Sequence, residues 1–186
     1  MVDYSITAFN GELNKAGGPS YKNRYQVILT IPNVVEANIM NGNELNIFCD
    51  LANFPGHRVS TADVTTTAHP IRIPYSFTTE ELNFSFHLNG NYAVLDLFSS
   101  WMEKIIDSFT YELAYKKDIV AASWEVWQLN RMNEKTKGVK LYNVFPIQTD
   151  AIELSNGASN EIQKLNVVVT YDRREIIRPM IPNAVA

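Results

Sequence analysis

Three histidines, one cysteine and two charged clusters are the residues of this 186-residue chain that could do chemistry. His57, His69 and His87 are types that ligate zinc, but they show no metal-ligand spacing and have no cysteine partner, so they read as surface or loop histidines. Cys49 alternates with apolar neighbours and lacks an activating signature, which makes it a small core residue rather than a nucleophile. Glu80 with Glu81, and the run Asp172, Arg173, Arg174, Glu175, offer acid and base types; at strand ends such charges usually cap an exposed edge. Glycine-rich phosphate loops, GxSxG elbows and HExxH helices are absent. Trp101, Trp124 and Trp127 invite a sugar-stacking reading, yet Trp101 falls on an apolar helical stripe and the other two lie on opposite faces of one strand. The expectation is a protein that is not an enzyme, with no catalytic, cofactor-binding or metal-binding residue.

Composition narrows the classes further. A hydrophobic content of 46% supplies a substantial core for one domain. The formal charge of -4 argues against a protein that grips nucleic acid phosphates, though not against a surface that DNA merely passes. A single cysteine allows no intrachain disulfide, and neither a basic-then-apolar leader nor an 18-residue apolar window is present, so a soluble protein assembled in the cytoplasm, without membrane insertion, is expected.

The elements that must position these residues follow from periodicity. Residues 1–20, ending in the Gly17-Gly18-Pro19 breaker, read as an N-terminal arm. "RYQVILTI", "ELNIFCDLA", "LNFSFHLNG" and "EIQKLNVVVTYD" alternate with period two and read as half-buried strands. Asn53 to Pro70 shows no clear period and reads as a long loop passing into a strand near "PIRIPYS". From Tyr92 to about Asp107 the apolar residues recur at helical spacing, with Asn91 as N-cap and Val94, Phe98, Trp101 and Ile105 as the packing stripe. An ambiguous linker runs on through Lys117. "ASWEVWQLNRM" and "VKLYNVF" then form a hairpin whose turn Gly138 closes, and a last hairpin joins "DAIEL" to the final strand. The sum is a mainly β fold: an antiparallel β-sandwich or barrel over residues 21–174 with one flanking α-helix, followed by an extended tail over 175–186.

This order of elements resembles the inner tail-tube proteins of contractile-tailed bacteriophages. The likeness is carried by "RYQVILTIP", by "LNIFCDLANFPG", by "LNFSFHLNGNYAVLDLFSSWMEKI", and most by "LYNVFPIQTDAIELSNGASNEIQKLNVVVTYD", and it covers roughly residues 21 to 173. The resemblance implies a structural subunit that assembles as a homo-hexamer stacking into a tube, inside a contractile sheath and between baseplate and tail terminator proteins. Phage DNA would pass through the lumen without specific binding, and the protein would reside in the virion tail. By the same analogy the lumen would come from Glu44–Leu51 with Thr65–Ile73, and from Ser123–Met132 with Val139–Val144. A tube-initiating baseplate ring of the same fold is the near alternative, and a carbohydrate-binding β-sandwich module is the alternative from another class.

Two segments read as contacts between copies. The 53–70 stretch, with Gly56, Arg58 and Asp63, lacks an apolar stripe and would take its order from an adjacent ring or subunit. The tail carries Ile176, Ile177, Met180 and Ile181, an apolar load unusual for a solvated terminus, and its prolines, Pro179 and Pro182, favour an extended docking segment. The helical stripe makes the first testable statement: Trp101→Ala should cost about 3–5 kcal/mol in chemical denaturation, and a loss below about 1 kcal/mol would remove Trp101 from the core.

Overall fold

The computed structural model describes residues 5–15, 17–35, 40–65, 71–155, 157 and 161–179. The fold is mainly β and antiparallel. Its element order is α1 (Ile6–Lys15), β1 (Tyr25–Leu29), α2 (Gly42–Phe48), β2 (Cys49–Ala52), β3 (Arg58–Val64), β4 (Ile71–Thr78), β5 (Leu82–His87), α3 (Ala93–Ile105), α4 (Lys116–Ile119), β6 (Ala121–Leu129), β7 (Lys135–Thr149), β8 (Lys164–Thr170) and β9 (Arg173–Ile177). The main sheet runs β1-β6-β7-β8-β5-β2, with β9 also on β7, while β3 and β4 pair only with each other.

Period-two alternation accounts for β1, β5 and β8. Val27 and Leu29, Leu82, Phe84 and Phe86, and Leu165, Val167 and Val169 all point into one core. That core is closed by α3, whose Val94, Leu97, Phe98 and Trp101 are fully buried while Ile105 is partly buried against it. Its aromatic centre is continuous. Phe98 stacks near Trp101, Trp101 meets Trp124 edge-on at 6.2 Å, and Phe84 meets Trp124 edge-on at 5.1 Å. Both indole N–H groups of this centre find a carbonyl, Ile119 for Trp101 at 2.7 Å and Thr30 for Trp124 at 2.8 Å. The N-cap position of α3 is Tyr92, in left-handed backbone with a φ of 54°, rather than Asn91; the first helical N–H, of Ala93, donates instead to Asn89 Oδ1 at 2.9 Å.

Four further expectations are corrected. Residues 42–48 are a helix, not the start of a strand. Asn41 and Glu44 form a reciprocal capping box, Leu45 is buried, and Ile47, on the same face in a strand reading, is exposed. Residues 58–64 are a strand, not loop. Gly138 lies inside β7 opposite Trp127, and the turn is made by Asn130, whose Oδ1 accepts from Met132 N and Glu134 N. An added Cβ at Gly138 would stand 2.6 Å from the Trp127 ring, so glycine is there for close approach. The final hairpin is made by β7 itself, which continues through the buried Pro146, with a bulge before Gln148, to pair β8.

The main sheet is not closed into a barrel. The space between its outer strands β1 and β2 is spanned by side chains. Asn46 of α2 accepts from Leu29 N at 2.8 Å, and the Tyr25 hydroxyl donates to Cys49 O at 3.0 Å and also contacts Asp50 O. Burial, with Cys49 and Asp50 nearby, pushes the Tyr25 hydroxyl pKa up to about 12, so it stays a donor.

β7 bends at Asn143, which has a φ of 55°. Its amide donates to Asp172 Oδ2 at 2.9 Å, and Asp172 N donates to Tyr142 O at 3.0 Å, which ties the bend to the β8–β9 junction. Asn143→Val, a β-branched residue forced into left-handed backbone, should lose about 1–3 kcal/mol in urea unfolding, whereas Asn143→Gly should lose less. Equal stability of the two variants would refute the backbone explanation.

Candidate assembly surfaces

Among the described residues the β3–β4 ribbon is the most exposed strand pair. Every residue of β4 is exposed, as is all of β3 except Ser60. Its register pairs Val59 with Phe77, Ala62 with Ile73, and Val64 with Ile71, with a bulge between Ser60 and Thr61. Counting along β3, Val59 falls on one face and Ala62 and Val64 on the other, so the ribbon is apolar on both sides. Phe77 is 78% exposed and Tyr75 70%. An isolated two-stranded hairpin is marginal in water, and among the described residues the Ser60–Thr78 hydroxyl pair at 2.8 Å and the exposed Asp63–Arg72 ion pair at 3.2 Å are the side-chain bonds that join its two strands.

The sequence-predicted residues of this segment separate along the ribbon. Asp63 sits toward its far end and Arg58 opens β3. Gly56 lies at its base, where Arg174 Nη1 donates to Pro55 O at 2.7 Å and Gly56 O at 2.6 Å.

The predicted tail begins as sheet. β9 pairs β7 from Tyr142–Arg173 to Gly138–Ile177, so a boundary at residue 174 cuts through a strand. The charged run hid it, because Arg173 and Glu175 serve side-chain partners on β7: Arg173 lies 4.6 Å from the Tyr142 ring centroid, and the Tyr142 hydroxyl donates to Glu175 at 2.7 Å. Ile177 packs beside Trp127 at Gly138, and Ile176 is half exposed. Met180 and Ile181 lie outside the described residues.

Of the two strand pairs expected to supply the lumen, Ser123–Met132 and Val139–Val144 do pair, within β6 and β7. The described parts of Glu44–Leu51 and Thr65–Ile73 do not: α2 lies against β1, β2 pairs β5, and β4 belongs to the ribbon. The non-core face of β6–β7 carries charges in opposite-sign neighbours. Lys140 Nζ and Glu125 Oε1 stand 2.9 Å apart, and Lys135 lies over the Trp127 ring at 4.8 Å. Burial would raise the Glu125 pKa, but the Lys140 hydrogen bond and the Trp127 N–H outweigh it and the net shift is downward. The non-core face of β5–β8 shows Asn83, Ser85 and Asn166, bordered by Asp50, which contacts Lys164 at 2.6 Å and His87 at 3.2 Å.

The chemistry-bearing residues stay apart. His57 is exposed, His69 lies outside the described residues, and no group of His, Cys, Asp or Glu among the described residues is arranged to hold a metal. Burial pushes the Cys49 thiol up to about 12, leaving it protonated. Trp101, Trp124 and Trp127 are all buried, so none offers a face for a sugar ring. One surface escaped the sequence reading. The linker after α3 displays Phe109, Tyr111, Leu113 and Tyr115, each at least 75% exposed, on a loop that Asp107 organises by accepting from Phe109 N and Thr110 N. The signal was an Asx turn followed by alternating aromatics.

The described residues thus form an antiparallel, mainly β fold with an unclosed main sheet and an exposed apolar ribbon. The chain belongs to the phage tail tube protein family, whose model matches residues 20–176. Among solved structures, a chain of the anti-feeding prophage baseplate (six-fold symmetrised) is similar at TM-score 0.62 and 11% identity, covering 88% of this chain and 98% of that one. A chain of the anti-feeding prophage tube-terminating cap is similar at TM-score 0.62 and 14% identity, covering 86% and 91%. A chain of the sheath–tube complex of an extracellular contractile injection system is similar at TM-score 0.60 and 13% identity, covering 95% and 99%. No curated protein sequence matches the chain.

Asp50 and Asp172 are held below the usual carboxylate range, Asp50 mainly by Lys164, and Asp172 by Lys116 and then Asn143. A depressed folded-state pKa stabilises above the unfolded value of about 4 and is lost as pH falls through the folded value. The melting temperature should therefore fall from pH 5 to pH 3, and Asp172→Asn should flatten that fall. An unchanged slope in the variant would refute the assignment.

Proposed function

We propose that this protein is the repeating subunit of the inner tube of a contractile phage tail or related injection machine, and that it assembles as stacked hexameric rings whose lumen conducts DNA during ejection. Its role is mechanical and non-enzymatic. The observation that carries the reading is the β3–β4 ribbon, a strand pair apolar on both faces with no core of its own, on a chain of the tail tube family. Such a ribbon gains its ordering energy from a neighbouring copy. The six-fold symmetry applied to the baseplate neighbour supports the ring number. Polar strand faces with paired charges suit a channel past which DNA must slide without sticking. The sheath, baseplate and terminator are the proposed partners, and assembly takes place in the host cytoplasm.

Negative-stain microscopy of the concentrated protein tests the reading: rings or tubes are expected. Ile71→Ser with Ile73→Ser and Phe77→Ser should leave the melting temperature within about 2 °C, since these side chains are exposed, while abolishing tubes. Normal tubes from that triple variant would refute the role given to the ribbon. Single rings without tubes from the unaltered chain would favour the tube-initiating baseplate ring.

A further inference from the structure

The β3–β4 ribbon joins the body through two stalks, residues 53–57 out of β2 and residues 79–81 into β5, and neither stalk belongs to a strand. β2 pairs β5 and β3 pairs β4, so the ladder breaks at the stalks and leaves the ribbon free to swing there. A cleft of about 350 Å³, lined by Gly56, Arg58, Phe77, Tyr171 and Arg173 among others, separates the base of the ribbon from the β8–β9 junction, so close packing does not fix its direction. Among the described residues, the hydrogen bonds that join the 53–57 stalk to the body come from Arg174, whose Nη1 donates to Pro55 O at 2.7 Å and to Gly56 O at 2.6 Å.

The place of this arginine in the sheet is unusual for a charged residue. It stands opposite Leu141 of β7, and directly opposed residues of an antiparallel ladder share a face, so Arg174 lies on the side where Leu141 is fully buried. Arg173 and Glu175 take the other side, with Tyr142. Arg174 makes no ion pair among the described residues, and its Nη2 is buried without a hydrogen-bond partner among them. A buried donor left unpaired is destabilising, so the folding of the sheet does not by itself account for arginine at this position. The guanidinium instead holds two successive carbonyls at a Pro-Gly step. Proline stiffens the backbone there, and two charge-assisted bonds converging on one nitrogen fix the orientation of the peptide as well as its position.

We infer that Arg174 is a positioning residue: it latches the stalk at Pro55 and Gly56 and so holds the ribbon in one direction in the free subunit. Its consequence for assembly rests on the tail-tube reading. A ribbon already held in the direction that a neighbouring copy accepts has little orientational freedom left to lose on docking, whereas a swinging ribbon is competent only in the fraction of molecules in which it points correctly.

Spin-label distances on the full, unassembled chain test this. Ala62 of β3 and Glu103 of α3 are exposed, and neither side chain makes a hydrogen bond or ion pair among the described residues. Ala62→Cys with Glu103→Cys, in a Cys49→Ala background, therefore reports the ribbon against the body. With Arg174 present a single narrow distance peak is expected. Arg174→Met keeps an apolar stem but removes the donors, and should lose that peak to a broad distribution; Arg174→Lys, with one ammonium in place of the planar guanidinium, should broaden it less. A peak as narrow as that of the unaltered chain in natively folded Arg174→Met would overturn the inference. Where near-ultraviolet circular dichroism shows that Arg174→Met is not native, Arg174→Lys decides, and an unbroadened peak there overturns it. If the variant points correctly in about one molecule in ten, its critical concentration for tubes should rise about tenfold. An unchanged critical concentration beside a broadened distribution would overturn the role in assembly. Absence of tubes from the unaltered chain, with the distances as expected, would overturn the tail-tube reading and leave the latch standing.

Discussion

β7 is the constraint on which the rest of the subunit depends. Its first half pairs β6 on one side and β9 on the other, and its second half pairs β8, so the β1–β6 and β8–β5–β2 parts of the sheet are joined through one backbone. The strand can serve both only by bending, and Asn143 in left-handed backbone supplies the bend. Asp172 holds it from the β8–β9 junction and is itself held by Lys116 at 2.5 Å, next to the segment whose Ile119 carbonyl receives the Trp101 indole. The helix, the bend and the sheet junction thus form one connected network.

The same geometry leaves work unfinished at the periphery. The bent sheet encloses its core but does not close, and the β1 and β2 ends are joined by Asn46 and Tyr25 rather than by a ladder. Beyond it stand the ribbon, the aromatic loop after α3, and α1, none of whose residues is buried. A monomer that buries one compact aromatic core and exposes this much apolar side chain elsewhere has divided its sequence between folding and assembly.

What was legible in the sequence follows that division. β1, β5, β8 and α3 face the core on one side, and burial imposes the period that can be read: Leu165, Val167 and Val169 alternate because each is in the core. β3 was missed because neither face of the ribbon is buried, so no selection for alternation acts on Arg58 to Val64. α2 was misread because Leu45, Ile47, Cys49 and Leu51 alternate by coincidence across a helix–strand junction; the capping box at Asn41 and Glu44 was the better signal, since it reports local geometry directly. The β9 charges looked like a solvated edge because the cross-strand partners Tyr142 and Lys140 cannot be assigned without the register. Gly138 looked like a turn residue because sequence shows its freedom but not the Trp127 ring above it.

Charge on the non-core sheet faces is set in pairs: ionic groups sit beside opposite partners, which gives a polar surface with a weak long-range field. The chain draws these pairs from a small net charge, so composition argues against a strong phosphate grip but cannot reveal which charges meet. The pairing is set by register: Glu125 and Lys140 are fifteen positions apart in sequence and stand opposite each other only because β6 pairs β7, so this part of the surface becomes readable only once the fold is known.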